Sequence, residues 1–310
     1  MSGPDPAGVL PAPPAGFRSG VVALVGRANV GKSTLMNRLV GAKLAIVSEV
    51  PQTTRVPIRG VLHRSGFQIV FIDTPGIHRP RHLMNEEMVR TATRLLHDVD
   101  RVAILVDASE GFGPGDRFVF DRARESGAKC LLILNKIDLM PKDRLLPLMD
   151  EAARSGLFEE IVPVSALGGE NCDRLEEVLA RTLPEGPPLF PPDMMTDLPR
   201  RMAVAELIRE PIFRKTRQEV PHSAAVLVET MDTTDSGLER VRATIYVDKE
   251  SQKAILIGER GRMIKDIGTE ARHALEDFLG HRVHLELWVK VREGWRDDAG
   301  ILRLLGLVTA

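Results

Sequence analysis

From Val21 onward the chain alternates short, nearly continuous apolar runs with longer stretches of mixed character. The runs are VVALVG (21–26), FQIVFID (67–73), RVAILVD (101–107), KCLLILNKID (129–138) and the shorter EIVPVSA (160–166). Continuous apolar runs of this length suit strands buried on both faces of a parallel sheet. The stretches between them, 32–40, 83–97, 115–126, 142–155 and 171–182, have helical length. That alternation predicts a doubly wound, mainly parallel α/β domain, with 53–62 as a candidate edge strand.

After residue 200 the rhythm changes. A helix is expected over 200–210, alternating strands near 224–231 and 241–248, an apolar turn over Ile255–Gly261, a helix over 262–279 and a strand over 281–291. This describes a smaller α+β domain. Between the two halves, residues 184–199 carry six prolines and read as a linker. The expected organisation is a tail (1–18, rich in Pro, Gly and Ala and read as disordered), a domain over 19–183, the linker, and a second domain over 200–310.

Composition narrows the class. Hydrophobic residues make up 43% and charged residues 27% of the chain, as in an ordinary folded protein, and the formal net charge is −1. No apolar window is long enough to cross a bilayer, and the N-terminus lacks the pattern of a signal peptide. Cys130 and Cys172 have no metal-ligand spacing and form no disulfide framework, which fits a reducing, cytoplasmic setting.

The first domain carries four motifs in order. Gly26-Arg27-Ala28-Asn29-Val30-Gly31-Lys32-Ser33, followed by Thr34, matches G-x-x-x-x-G-K-[ST] between an expected strand and an expected helix. Glycines admit phosphates close to the backbone N–H groups, and the helix N-terminus adds positive potential. Lys32 is expected on the β- and γ-phosphates and Ser33 on Mg²⁺. Asp73-Thr74-Pro75-Gly76 ends the next run, placing an acid for Mg²⁺ and a backbone N–H for the γ-phosphate. Asn135-Lys136-Ile137-Asp138 ends another, and its Asp138 carboxylate can accept from both the ring N–H and the exocyclic amine of guanine, which adenine does not offer. Asn135 is expected to tie the base side of the site to the phosphate loop, and the Lys136 stem to lie along the base. Ser165-Ala166-Leu167 closes the set, with the Ala166 N–H a candidate donor to guanine O6. Chemistry therefore points to GTP.

Together these motifs resemble the P-loop GTPases of the translation-factor class over about 20–183. The resemblance implies a switch threonine that closes on Mg²⁺ and the γ-phosphate; within Pro51-Gln52-Thr53-Thr54-Arg55 we favour Thr54, with Thr53 the alternative. The position after Gly76, where Ras-like GTPases keep a water-orienting glutamine, holds Ile77, which cannot hydrogen-bond water. Asn29 offers a substitute: such an asparagine often accompanies a K⁺ ion beside the phosphates, though it can also simply brace the loop. Lys32, Thr54, Gly76 and Asn29 are the residues expected to carry catalysis.

In the second half, Ile257-Gly258-Glu259-Arg260-Gly261-Arg262, continuing to Ile264, Lys265 and Ile267, resembles the GXXG loop of a KH RNA-binding module, here type II. Two glycines between helices let a single-stranded backbone approach, and Arg260, Arg262 and Lys265 supply charge for its phosphates. The three isoleucines are expected to form the packing face. Acids nearly balance bases over 200–310, so a short, selective RNA contact is expected. A second basic cluster is Arg209, Arg214, Lys215 and Arg217. Phe213 and Trp288 are expected to pack in the core; Trp295 is undecided between surface and core.

With both halves placed, the chain resembles the bacterial Era family in GRANVGKST, PQTTR, DTPGIHRPRH, NKID, SAL, REPIFR, EVPHS, IGERGRMIKDIG and HLELWVKVREGW. The resemblance implies a GTPase of small-subunit ribosome assembly whose KH domain binds the 3′ end of 16S ribosomal RNA. It further implies a monomer that is cytoplasmic and partly peripheral on the inner membrane. A GTPase of tRNA modification is the alternative.

Overall fold

The computed structural model describes residues 14–47, 53–76, 83–234 and 237–307. In chain order its elements are β1 (Arg18–Gly26), α1 (Lys32–Val40), β2 (Ile58–Arg64), β3 (Phe67–Asp73), α2 (Leu83–Leu95), β4 (Arg101–Asp107), α3 (Pro114–Ser126) and β5 (Cys130–Asn135). They continue with α4 (Leu145–Arg154), β6 (Phe158–Pro163), α5 (Cys172–Thr182), α6 (Arg200–Lys215), α7 (Val220–Ser223), β7 (Ala225–Thr233) and β8 (Glu239–Val247). The last are α8 (Glu250–Ile257), α9 (Arg262–Leu279), β9 (Val283–Val291) and α10 (Ala299–Leu304). Two compact units result. One comprises 1–42, 58–73 and 94–197; the other comprises 43–57, 74–93 and 198–310.

The first unit is built on a six-stranded sheet in the order β2-β3-β1-β4-β5-β6, parallel throughout except for β2, which runs antiparallel to β3. Val22–Val25, Val102–Val106 and Leu131–Leu134 are completely buried, as continuous apolar runs require. The strand at the N-terminus begins at Arg18, three residues before its apolar run, and Phe17 is already buried. Chain order reverses direction at β1, so the loop after it opens at the carboxyl edge where α/β sheets bind ligands.

The proline-rich segment has no regular structure, yet it is firmly attached within this unit. Buried Gln68 accepts from the N–H groups of Leu189 (2.7 Å) and Phe190 (2.9 Å) and donates to the Phe190 carbonyl (2.8 Å). Farther along, the Val61 N–H on edge strand β2 donates to the Met195 carbonyl at 2.8 Å, and Thr196 Oγ1 donates to the Arg59 carbonyl at 2.6 Å. The segment thus covers an edge that would otherwise present unpaired groups.

In the second unit a three-stranded sheet has the order β7-β8-β9, with β7 antiparallel and β9 parallel to β8. Val204, Ile208 and Ile212 of α6, Leu256 of α8, and Ile267, Ala271 and Leu275 of α9 pack with Val241, Ala243 and Ile245 of β8 in one core. A second cluster joins Met84 and Met88 of α2 to Ala225, Trp295, Ile301 and Leu302.

Three expectations change here, and one left open is decided. Residues 255–257 belong to a helix, α8, rather than a turn; the overlooked signal is Gln252, whose side-chain oxygen accepts from the N–H groups of Asp248 and Lys249 and starts that helix. Helix α6 runs through Pro211 to Lys215, since Ile208 to Phe213 are all buried and packing outweighs the hydrogen bond proline forfeits. Trp288 is 43% exposed. On β9 the odd-numbered residues Leu285, Leu287 and Val289 pack against the core, so strand periodicity turns Trp288 to the other face. Trp295, by contrast, is fully buried and donates through Nε1 to the Ser223 carbonyl at 2.9 Å. Phe213 is buried as expected.

Two stability predictions arise. Gln68→Leu keeps the volume but takes away the acceptor of the partly buried Leu189 and Phe190 N–H groups, at a cost of about 1–2 kcal/mol; a fall in urea midpoint and faster proteolysis within 184–197 should appear together. His222 is held below the ordinary imidazole range by burial and then by the charges of Arg55 and Arg296. The folded state therefore favours the neutral ring, so its stability is present above the unfolded-state pKa of roughly 6.5 and lost as pH falls below it. His222→Gln should lose less stability than the parent between pH 7.5 and pH 5.5, read as the shift in urea midpoint.

Candidate functional site

The loop between β1 and α1 turns through Asn29 and Gly31, both with positive φ (64° and 101°). Gly31 is obligatory: a Cβ there would lie 2.2 Å from Asn135 Nδ2. Lys32, at the start of α1, is buried, and its ammonium donates to the carbonyls of Gly26 (3.1 Å) and Arg27 (2.7 Å). Burial pushes it down to about 8, against the opposing pull of Asp73. A phosphate anion at this position would offer that charge a better partner than two carbonyls. The Arg27 guanidinium, in contrast, is committed to Asp116 (2.9 Å) and Glu110 (2.8 Å), so this residue serves the loop through its backbone.

Ser33 Oγ donates to Asp73 Oδ2 at 2.6 Å, and Asp73 is fully buried. Strand β3 ends at Asp73 and α1 begins one residue before Ser33, so adjacent strand ends converge on this pair. Two hard oxygens at hydrogen-bond distance fit a small divalent cation that retains waters and phosphate oxygens as its other ligands. No cluster of three or more His, Cys, Asp or Glu suited to a metal occurs among the described residues.

On the base side, Asn135 at the end of β5 donates through Nδ2 to the Val30 carbonyl (2.8 Å) and accepts at Oδ1 from the Ala166 N–H (2.9 Å). One amide therefore bridges the phosphate loop and the loop after β6. The Ala166 N–H, expected at guanine O6, is engaged within the protein instead. Arg38, on α1, donates to the carbonyls of Ala166 (3.1 Å) and Leu167 and braces the same loop. The Gly168 N–H donates to Ser165 Oγ at 2.9 Å, and the Leu167 side chain is exposed. Lys136 adopts a left-handed conformation and its ammonium lies 2.6 Å from Asp107 Oδ2. Burial would raise the Asp107 carboxyl, but Lys136 and Ser109 outweigh it and hold it below its ordinary value. Asp138 stands exposed in the short helical turn 137–139. Arg38 and Asp107 carry no motif signal; their roles come from spatial neighbours.

Thr53, Thr54, Thr74 and Gly76 belong to the second compact unit, where Thr54, Thr74 and Gly76 are buried. Pro51, Gln52 and Ile77 lie outside the described residues.

The KH loop lies between α8 and α9. Gly258 has φ 70° and ψ 177°, and a Cβ there would approach Met263 Cβ to 2.7 Å. Arg260 and Gly261 follow with φ 51° and 78°, and Gly261 caps α9. Glu259, Arg260, Arg262 and Lys265 are exposed, so the charge meant for phosphates faces solvent beside a helix N-terminus. Of the three isoleucines, Ile267 is buried in the core and Ile264 packs partly against it. Leu256, not Ile257, is the core residue of α8. The other basic cluster is not an open patch: Arg209 is buried, and Arg214 and Lys215 both pair with Glu270.

Two parts of the chain match known families. Residues 21–136 match a family model described as 50S ribosome-binding GTPase, and 219–296 match a KH domain model. GTPase Era of Alkaliphilus oremlandii is 47% identical over 291 residues, spanning 94% of this chain and 99% of that one. GTPase Era of Staphylococcus haemolyticus is 44% identical, with 94% and 97% covered. Two solved structures superpose with a TM-score of 0.92 at 41% identity, covering 94% of this chain and all of theirs. One is an Aquifex aeolicus Era variant bound to GDP and AlF4⁻; the other is Era in complex with MgGDPNP and nucleotides 1506–1542 of 16S ribosomal RNA. At this level of identity and coverage, the chain belongs to the GTPase Era family.

Proposed function

We propose that this chain is a GTP-hydrolysing switch that works with Mg²⁺, binds the 3′ end of 16S ribosomal RNA through its KH domain, and acts in assembly of the small ribosomal subunit. The observation that carries the reading is the match along 94% of the chain to an Era structure holding MgGDPNP and 16S nucleotides. Hydrolysis is the activity of the family.

Ser33 and Asp73 would hold Mg²⁺, which neutralises charge on the phosphates as the bond to the leaving group weakens. Lys32 leaves the Gly26 and Arg27 carbonyls for the β- and γ-phosphates. The Gly76 N–H is the donor to the γ-phosphate, and Thr54 the switch ligand. Asp138 accepts from guanine, while Asn135 keeps the base and phosphate loops in register. At the second site, Gly258 and Gly261 admit an RNA backbone, and Arg260, Arg262 and Lys265 meet its phosphates.

Finer elements of the reading rest on the family resemblance alone: K⁺ held at Asn29, action as a monomer in the cytoplasm, and peripheral contact with the inner membrane. No helix among the described residues is long and apolar enough to cross a bilayer.

Crosslinking of the protein to cellular RNA, with a non-hydrolysable GTP analogue in one sample and GDP in another, tests the partner. Enrichment of the 16S 3′ end is expected. Arg260→Ser combined with Lys265→Gln should weaken binding of that RNA and flatten its log–log salt slope by about 2, with GTP turnover unchanged; recovery of transfer RNA, or of no RNA, would remove the assembly role. For the ion, turnover should be faster in K⁺ than in Na⁺, and Asn29→Ala should abolish the difference; equal rates in both salts would leave Asn29 as a brace of the loop.

A further inference from the structure

The stretch 107–116 lies outside every nucleotide motif, yet it holds side chains on both halves of the nucleotide site. Strand β4 ends at Asp107, opposite Asn135 of β5 in the parallel register, and the Ala108 N–H donates to the Asn135 carbonyl at 2.8 Å. Lys136 follows at once, so the sheet delivers its side chain beside the end of β4. Buried Asp107 accepts at Oδ1 from the Ser109 N–H (3.1 Å) and hydroxyl (2.6 Å), and its Oδ2 lies 2.6 Å from Lys136 Nζ. Farther along, Asp116 accepts from Arg27 Nε at Oδ1 and from the Gly113 N–H at Oδ2, both at 2.9 Å, and Glu110 accepts from Arg27 Nη2 at 2.8 Å. One loop is thus tied to the phosphate loop and to the guanine motif.

Two carboxylates compete for the Lys136 ammonium. Asp138 leaves the same tight turn, which the Leu139 N–H closes by donating to the Lys136 carbonyl at 3.0 Å. Asp107 comes from the neighbouring strand. Their surroundings decide between them: Asp107 is 5% exposed, whereas Asp138 is fully open to water. A charge pair shielded from water is the stronger one, and an ion pair at an open surface adds little. Despite burial, Lys136 and Ser109 keep the Asp107 carboxyl below its ordinary range, so it remains an anion. The lysine side chain is itself 31% exposed, so without that anion its flexible stem is free to swing to Asp138.

That swing matters because of how a carboxylate reads guanine. The ring N–H and the exocyclic amine each need an acceptor, and the two oxygens of one carboxylate supply them. An ammonium resting on Asp138 would occupy one oxygen before the base arrived. The sequence Asn135-Lys136-Ile137-Asp138 therefore carries, two residues before its reader, a cation able to block it. Asp107 is placed to take that cation away, and Ser109 fixes the carboxylate so that Oδ2 faces Lys136.

We propose that Asp107 is a positioning residue for guanine specificity: by holding the Lys136 ammonium at the end of β4, it keeps both oxygens of Asp138 open to the base. The proposal rests on the reading of 135–138 as the guanine motif. Asp107 is not asked to touch the nucleotide; it acts through Lys136, and Ser109 acts through Asp107. The stretch 107–116 is then a further element of the nucleotide site, recognisable only from its contacts.

The test uses the full chain with Mg²⁺ and compares its affinity for GDP with that for inosine diphosphate, which keeps the ring N–H but lacks the exocyclic amine. The parent should prefer GDP by about 10- to 100-fold, the contribution of one hydrogen bond to a charged acceptor. Asp107→Asn still accepts from Ser109 but carries no charge, and in it the preference should fall by about two- to fivefold, the strength of an exposed ion pair. GDP must displace the ammonium from Asp138, whereas inosine diphosphate needs only the oxygen that the ammonium leaves free. Asp107→Asn combined with Lys136→Met, which keeps the stem and removes the ammonium, should recover the parental preference, and high salt should do the same for the single variant. Ser109→Ala, at an exposed position, serves where the buried substitution compromises folding, and should lower the preference in the same direction. A folded Asp107→Asn or Ser109→Ala protein with the parental preference overturns the proposal. So does a double variant no better than the single one, because an ion pair that only braced the fold would not be repaired by removing Lys136. A parent that binds the two nucleotides equally fails at the earlier step, the reading of Asp138, and takes the proposal with it.

Discussion

Asn135 is the constraint on which the nucleotide domain depends. Its amide donates to the Val30 carbonyl and accepts from the Ala166 N–H, so one planar group fixes three loops that leave three different strands. Gly31 is glycine because that amide occupies the space of a Cβ. Lys32 and Ser33 then enter α1 at the positions from which they meet the Gly26 carbonyl and Asp73. An isolated phosphate loop could bind an anion; the bridge makes loop and base pocket a single preorganised object, in which little ordering is left to be done when a nucleotide arrives.

The sequence was most legible where a local rule has a single solution. Continuous apolar runs gave the buried strands, and α9 spans 262–279 as expected because Gly261 and Gly280 delimit a regular apolar period. Legibility failed where the answer depends on a distant neighbour. Nothing local distinguishes Trp288 from Trp295; one lies on the outward face of a strand, and the other fills a cluster completed by Met84 and Met88, some 200 residues earlier. Likewise Arg209 reads as part of a basic stretch, and only the fold reveals it as a buried donor. The helix over 250–257 was overlooked for a smaller reason: its N-terminal signal is one glutamine rather than a Ser, Thr, Asp or Asn.

The compact units do not follow the motif map. Residues 53–57 and 83–93 lie near nucleotide motifs in sequence, yet they group with the described residues of 198–307. What holds the first of these segments is polar: buried Arg55 donates to the carbonyls of Ala224 and His222 rather than entering an apolar core.

The attachment of the proline-rich segment has a consequence for the order in which the protein is made. Gln68 and Phe190 are separated by 122 residues, and Val61 on edge strand β2 finds its acceptor only at Met195. While the chain is being synthesised, the sheet can assemble through β6 with this edge still bare and a polar amide awaiting its partners. The nascent nucleotide domain therefore passes through an interval in which it has its strands but not its seal, and that interval closes only when the residues leading into the second unit emerge. The segment that joins the two halves of the chain is thus also the last structural piece of the first.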